Sequence, residues 1–197
     1  MHDPDPALRT TIWLVALLNL AYFVIEFAVA RSIGSVALFA DSIDFLEDAA
    51  INALILVALG WSARHRAALG MVLAGILLAP GIATAWTAFH KLVEPVPPDA
   101  TLLSVTGLGA LAINLFCAHR LARFRTRSGS LTRAAFLSAR NDALANLGIM
   151  AAGVATIVTR AAWPDLVVGV AIFVMNSDAA WDVFSAARAE RRAADSG

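Results

Sequence analysis

The stretch ADSIDFLEDAAIN, residues 40–52, carries four acids, Asp41, Asp44, Glu47 and Asp48, and runs straight into the apolar ALILVALG. At about 100° per residue, Asp41, Asp44, Asp48 and Asn52 share an arc of roughly 80° on a helix, with Glu47 about 60° further round. Carboxylates so close repel one another, and the stripe keeps its place only against something positive: a metal ion, protons or basic side chains. A second polar patch lies in AFLSARNDALANLGIM, where Ser138, Asn141 and Asp142 share one helical face. Arg140 is the main basic candidate within an apolar stretch, and it points roughly 160° away from Asp142 on the same helix. An exchangeable cation therefore answers the acidic stripe better than an internal salt bridge does.

The elements that position these groups are set by composition. The chain has 197 residues, 59% of them hydrophobic and 15% charged, with a mean hydropathy of +0.73. A water-soluble domain of this length cannot hide so much apolar surface, so the expected class is an all-α, polytopic membrane protein. A span takes about 20 mainly apolar residues. Six stretches qualify, roughly 11–30, 35–60, 67–90, 101–122, 134–158 and 162–186. The expected architecture is a single six-helix transmembrane bundle over residues 1–197, with no soluble C-terminal domain. The proline cluster at 95–98 reads as a loop.

Formal net charge is zero, which leaves no footprint for a nucleic-acid partner. The single cysteine, Cys117, has no internal disulfide partner and reads as packing. The leading MHDPDPALRT is more acidic than basic, and the apolar run after it is too long for a signal peptide's core, so the first helix is expected to stay uncleaved. With six spans both termini share a side. That side carries Arg9, Arg64, Arg66, Arg120, Arg123, Arg125, Arg127, Arg133, Arg188, Arg191 and Arg192, against Arg31, Lys91 and Arg160 on the other. The imbalance puts both termini in the cytoplasm.

Depth and cost sharpen the reading of the acids. A charge at the centre of a spanning helix costs about 2.5–3.5 kcal/mol on an insertion scale, so the acids must face the bundle interior. At about 1.5 Å per residue, Asp44 lies roughly 13 Å from the outer face and Asp48 roughly 20 Å. Asp142 lies roughly 12 Å from the cytoplasmic face of a core about 30 Å thick, which brings both patches to one level near mid-membrane.

In these segments the chain resembles the cation diffusion facilitator family, the six-helix divalent-metal/proton antiporters. LNLAYFVIEFAVARSIGSVALFADSIDFLED is similar to that family's first two helices, SARNDALANLGIMAAG to its fifth and WPDLVVGVAIFVM to its sixth. The resemblance implies metal ligation by Asp44 and Asp48 on the second helix and Asp142 on the fifth. Ser138 stands where the family usually has a histidine or aspartate, so Asn141 through its amide oxygen, or a water, is implied as the fourth ligand. The resemblance further implies a transporter that is not an enzyme, with no cofactor. Its expected cargo is a divalent metal, zinc first, with Cd, Co, Mn and Fe as others, exchanged for protons in a bacterial inner membrane. An all-oxygen site on softness alone leans toward Mn²⁺ or Fe²⁺. No cytoplasmic dimerisation module of the kind usual after the family's sixth helix is expected here, so a homodimer would be held by the spans. The small-residue faces around Gly70, Gly75, Gly107 and Gly109 are the candidates.

Two rivals follow from the same residues. Membrane CDP-alcohol phosphotransferases also set aspartates four apart in a spanning helix, but SVALFADSIDFLED lacks their DG…AR…G lead-in. A non-transporting membrane subunit would pair its acids with a partner's basic helix. Other polar residues have plainer readings. Asp41 either joins the stripe or caps the helix start, and Glu47 makes an inter-helix hydrogen bond. Asn19, Tyr22 and Glu26, like Asn114, act as packing glue. Asp178 and Asp182 belong to a solvated or ion-paired face. His65 is a loop histidine, and the basic loop HRLARFRTRSGSLTR meets anionic lipid headgroups.

Overall fold

The computed structural model describes residues 6–58, 82–122 and 130–175, with the side chains of 55, 57, 58 and 130–141 outside the described set. The described residues form six helices and no strand. They are α1 (Pro6–Ile33), α2 (Val36–Ala58), α3 (described over 82–93), α4 (Ala100–Ala122), α5 (Ser130–Thr159) and α6 (Trp163–Met175). Arg140, His65, Asp178, Asp182, Gly70, Gly75, much of the basic loop and the Arg-rich tail lie outside the described residues or side chains.

Local sequence explains where the helices stop. Gly34 ends α1 in the left-handed region at φ 63°, where a Cβ would be penalised. Ser35 N–H then reaches back to the Ala30 carbonyl at 3.1 Å, closing the C-terminal cap. The Ser35 hydroxyl accepts from Leu38 N–H at 3.1 Å and so opens α2 in the same stroke. Asp99 caps α4 by accepting from Leu102 N–H at 2.9 Å, after the non-helical, proline-rich 95–99. Pro164 sits in the first turn of α6, where a missing N–H is harmless.

Polarity is turned inside out relative to a soluble bundle. On α1 the buried Ile12, Val15, Ala16, Asn19, Glu26 and Ala30 recur at helical spacing, while Trp13, Leu17, Val24 and Ile25 are all more than half exposed. The same outward apolar faces recur on α3 to α6, at Ile82, Val105, Leu144 and Val167 among others. Such a surface suits hydrocarbon and not water. Among the described residues three segments are long and apolar enough to cross a membrane on their own, namely α1, α4 and the Asp142–Thr159 stretch of α5. The 23-residue α2 has the length, but carries four acids in its middle.

Packing is closest between α4 and α5 and between α1 and α2, with further α1–α4, α2–α5 and α2–α4 contacts. At the end of the α1–α2 turn, Ala30, Ala37, Leu38, Phe39, Ala40, Leu103, Ile149 and Ile172 form one apolar cluster. Towards the other end, Val15, Cys117, Ala118 and Leu121 form a second. Cys117 is thus a buried packing residue, as its apolar context predicts. Aromatic contacts tie α1 to α2, with Tyr22 and Phe45 centroids 4.9 Å apart and Phe27 edge-on to Phe39 at 5.3 Å.

The turn end is locked by one carboxylate. Asp165 of α6 accepts from Ser35 Oγ at 2.5 Å, Val36 N–H at 2.9 Å and Ala37 N–H at 3.2 Å. Lys91 of α3 donates to it at 2.7 Å, and both side chains of that ion pair are buried. An acid from another helix thereby caps α2, where the helix dipole favours negative charge. The expectation that Asp41 could cap this helix is corrected. Asp41 lies inside α2 and is fully buried, and the cap is supplied by Ser35 and Asp165.

The glycine faces expected for a dimer are corrected in part as well. A Cβ at Gly107 would press on Ile149 of α5, and one at Gly109 on the Tyr22 hydroxyl of α1. Both glycines are consumed by packing within the chain, because they let α4 approach α5 and α1.

Candidate metal-cation site

Between the two apolar clusters lies a layer of buried polar groups. Along α2 it takes in Asp41, Ser42, Glu47, Asp48 and Asn52, with Asp44 half-buried. From the other helices come Asn19 and Glu26 of α1, Thr106 and Asn114 of α4, and Asn146 of α5. Helical periodicity is what gathers them. The α2 acids recur at three and four residues, so one face of the helix delivers all of them inward.

Asp142 of α5, half-buried, stands in the electrostatic field of Asp48, Asp41 and Glu47. It is in turn the strongest charged neighbour of Asp44. The structure therefore brings Asp44, Asp48 and Asp142 into one layer. Ser138 and Asn141 fall on α5, one turn before and immediately before Asp142, with side chains outside the described set. Among the described residues no three His, Cys, Asp or Glu side chains stand close enough to chelate an ion as they lie. Binding a cation must draw the carboxylates inward or recruit oxygens of another type.

Two residues read from sequence as packing glue turn out to face this layer. Asn19 donates Nδ2–H to Asp48 Oδ2 at 3.5 Å, a long contact, and its Oδ1 meets the Cys117 thiol at 3.9 Å. Glu26 is completely buried, within hydrogen-bonding reach of Asp41. Neither carboxyl meets any donor among the described residues, so the pair persists only with a proton or cation between its members. The signal for both was present in the i, i+7 spacing of Asn19 and Glu26, but spacing alone does not say which neighbour a face meets. Tyr22 does behave as glue, donating to the Thr106 carbonyl of α4 at 2.6 Å.

Among the described residues positive charge is scarce near these acids. Among the described residues Lys91 is the buried basic side chain, and it is committed to Asp165 at the turn end. Among the described residues, an acid-lined interior with so few cations beside it, inside an apolar helical shell, is the arrangement of a membrane protein and suits a mobile cation.

The comparisons agree with that class. The chain matches the family described as the cation efflux transmembrane domain over residues 12–190, and it belongs to that family. It is similar to the zinc transporter ZitB of Yersinia pestis, 28% identical over 160 residues that cover 75% of this chain and 51% of the relative. The zinc transporter ZitB of Yersinia pseudotuberculosis serotype I (strain IP32953) is similar to the same extent. The chain spans about half the length of these curated relatives. The family is one of cation transporters and not of enzymes, which sets the phosphotransferase reading aside.

Proposed function

We propose that this protein exports a divalent transition metal, zinc first, across a bacterial inner membrane in exchange for protons. The carrying observation is the acid layer of α2 and α5, buried between two apolar clusters in a chain of the cation efflux family. The similarity to two zinc transporters supports zinc as cargo. In this reading six spans place both termini in the cytoplasm, and the α1–α2 turn faces outward. Cadmium, cobalt, manganese and iron are further cargo candidates.

The mechanism needs no covalent step. A metal ion from the cytoplasm reaches Asp44, Asp48 and Asp142, with Asn141 or Ser138 as further donors, and neutralises their mutual repulsion. The helices rock to open the site outward, and protons take the metal's place on the carboxylates. Because each cation satisfies the same cluster, metal and protons compete, and that competition is the coupling. Glu26 and Asp41, which need a positive charge between them, belong to the same exchange. Two copies of the chain would pair through their spans.

The deciding experiment is transport by purified protein in proteoliposomes with an imposed pH gradient and a panel of Zn²⁺, Cd²⁺, Co²⁺, Mn²⁺ and Fe²⁺. Metal movement that accelerates with the gradient, and a counterflow of protons, is the expected result. Absence of metal flux for every ion tested would overturn the transport reading.

A further inference from the structure

Among the described residues of the polar layer, Asn146 carries a neutral oxygen with no hydrogen-bond partner in the fold. This side chain is fully buried on α5, one turn beyond Asp142. Its Nδ2–H donates to the Asp142 backbone carbonyl at 2.8 Å. A backbone carbonyl can only accept, so that bond fixes which end of the amide is nitrogen and which is oxygen. The remaining Oδ1 finds no hydrogen-bond partner among the described residues. A buried amide oxygen left without a donor carries an uncompensated desolvation cost, which calls for a ligand. The same device occurs on α2, where Asn52 donates to the Asp48 carbonyl at 2.7 Å and keeps an unpartnered Oδ1. For Asn52, however, the α5 residues one turn and more before Asp142 have no described side chains.

Helix register tells what Asn146 faces. The start of α6 meets the start of α2 through Asp165, so α5, which leads into α6, runs antiparallel to α2. Ala145 and Ile149 pack in the cluster that contains Ala37 to Ala40 of α2. Asp142 lies on the face of α5 that packs toward α2, near the Asp44 and Asp48 carboxylates. Asn146 falls one turn from Asp142 toward that apolar cluster, which puts it at the level of the Asp41 end of the α2 stripe. On the α5 wheel it sits about 40° from Asp142, inside the arc of roughly 100° that also holds Ala145 and Ile149.

The geometry points to Asn146 Oδ1 as a ligand of the transported divalent metal, completing an oxygen set with Asp44, Asp48 and Asp142. This rests on the transport reading above and adds a donor on the opposite side of Asp142 from Ser138. A neutral amide oxygen suits the place electrostatically, because it coordinates a hard or borderline cation without adding to the repulsion among the acids. It also meets the shortage noted above, since the acids alone do not converge on a chelating geometry. Tethering Nδ2 to the Asp142 carbonyl presets the oxygen, so little side-chain freedom is lost when metal arrives.

The test uses the full chain purified in detergent, with Zn²⁺ titrated calorimetrically and Co²⁺ followed through its ligand-field absorption. Asn146→Leu keeps the volume and removes the oxygen. It is expected to weaken Zn²⁺ binding about 10–100-fold, the range typical of losing one oriented group at a metal site, and to shift the Co²⁺ bands. Asn146→Asp puts a charged carboxylate in place of the amide oxygen and is expected to raise Zn²⁺ affinity above the parent's and to shift the Co²⁺ bands away from the parent's. Parent-like Zn²⁺ affinity and an unchanged Co²⁺ spectrum in Asn146→Leu, alongside lost binding in Asp48→Ala and Asp142→Ala, would overturn this ligand and leave the acid site standing. Intact Zn²⁺ binding in Asp48→Ala and Asp142→Ala would sink both. If Asn146→Leu does not fold, Asn146→Asp decides alone: parent-like affinity with a parent-like Co²⁺ spectrum would overturn the assignment.

Discussion

Neutralising Asp165 is predicted to cost far more stability than removing Lys91, although the two form one ion pair. Asp165→Asn leaves Lys91 buried, with its side chain 5% exposed and no counter-charge. It also replaces a carboxylate that collects hydrogen bonds from Ser35, Val36 and Ala37. Stranding one partner of a buried pair costs about 3–5 kcal/mol, and weakening a helix cap adds about 1 kcal/mol. Lys91→Met strands a carboxylate instead, but one that still holds three donors at the positive end of α2. Its expected cost is about 1–2 kcal/mol, near that of a charge-assisted hydrogen bond. In the double variant no cation is stranded, so its loss should fall about 2 kcal/mol short of the sum, within the range found for groups in contact. The assay is thermal unfolding in detergent of the parent, both single variants and the double. A chain of this size loses roughly 2–4 °C per kcal/mol. Strictly additive losses, or a larger loss from Lys91→Met than from Asp165→Asn, would refute the account of Asp165 as both counter-ion and cap.

Asp48→Ala and Asp142→Ala should each abolish metal transport in proteoliposomes while the protein stays folded, and apo stability should hold or rise as like-charge repulsion is relieved. Unimpaired metal flux in either variant would remove that residue from the site. Ser138→His should favour Zn²⁺ over Mn²⁺ in the same assay by adding a borderline-soft imidazole, and an unmoved preference would show that position 138 does not meet the ion. Gly169→Ala should destabilise the bundle by about 1–3 kcal/mol, as overpacking does. Its Cβ would come within 2.6 Å of Ala37 N and Val36 C, so an unchanged melting temperature would mean that α6 does not press on the start of α2.

The class of the protein was readable from composition and periodicity. An excess of apolar residues over what a soluble domain can bury required a membrane, and helical periodicity alone put Asp44 and Asp48 on one inward face. The acids of ADSIDFLED and the aspartate of SARNDALAN were legible as a pair of patches because each depends on spacing within one helix. What lay between helices was not legible. Whether Asn19 meets Asp48, whether the buried Asn146 oxygen finds a donor, and which acid caps α2 all depend on how helices far apart in the chain are set side by side. Asp165 shows the difference most plainly. In the sequence it is an ordinary acid in WPDLVVGV, a helix start. In the fold it holds the first turn of α2 and the ammonium of Lys91 together, because three chain segments converge there and a buried carboxylate needs every donor they bring.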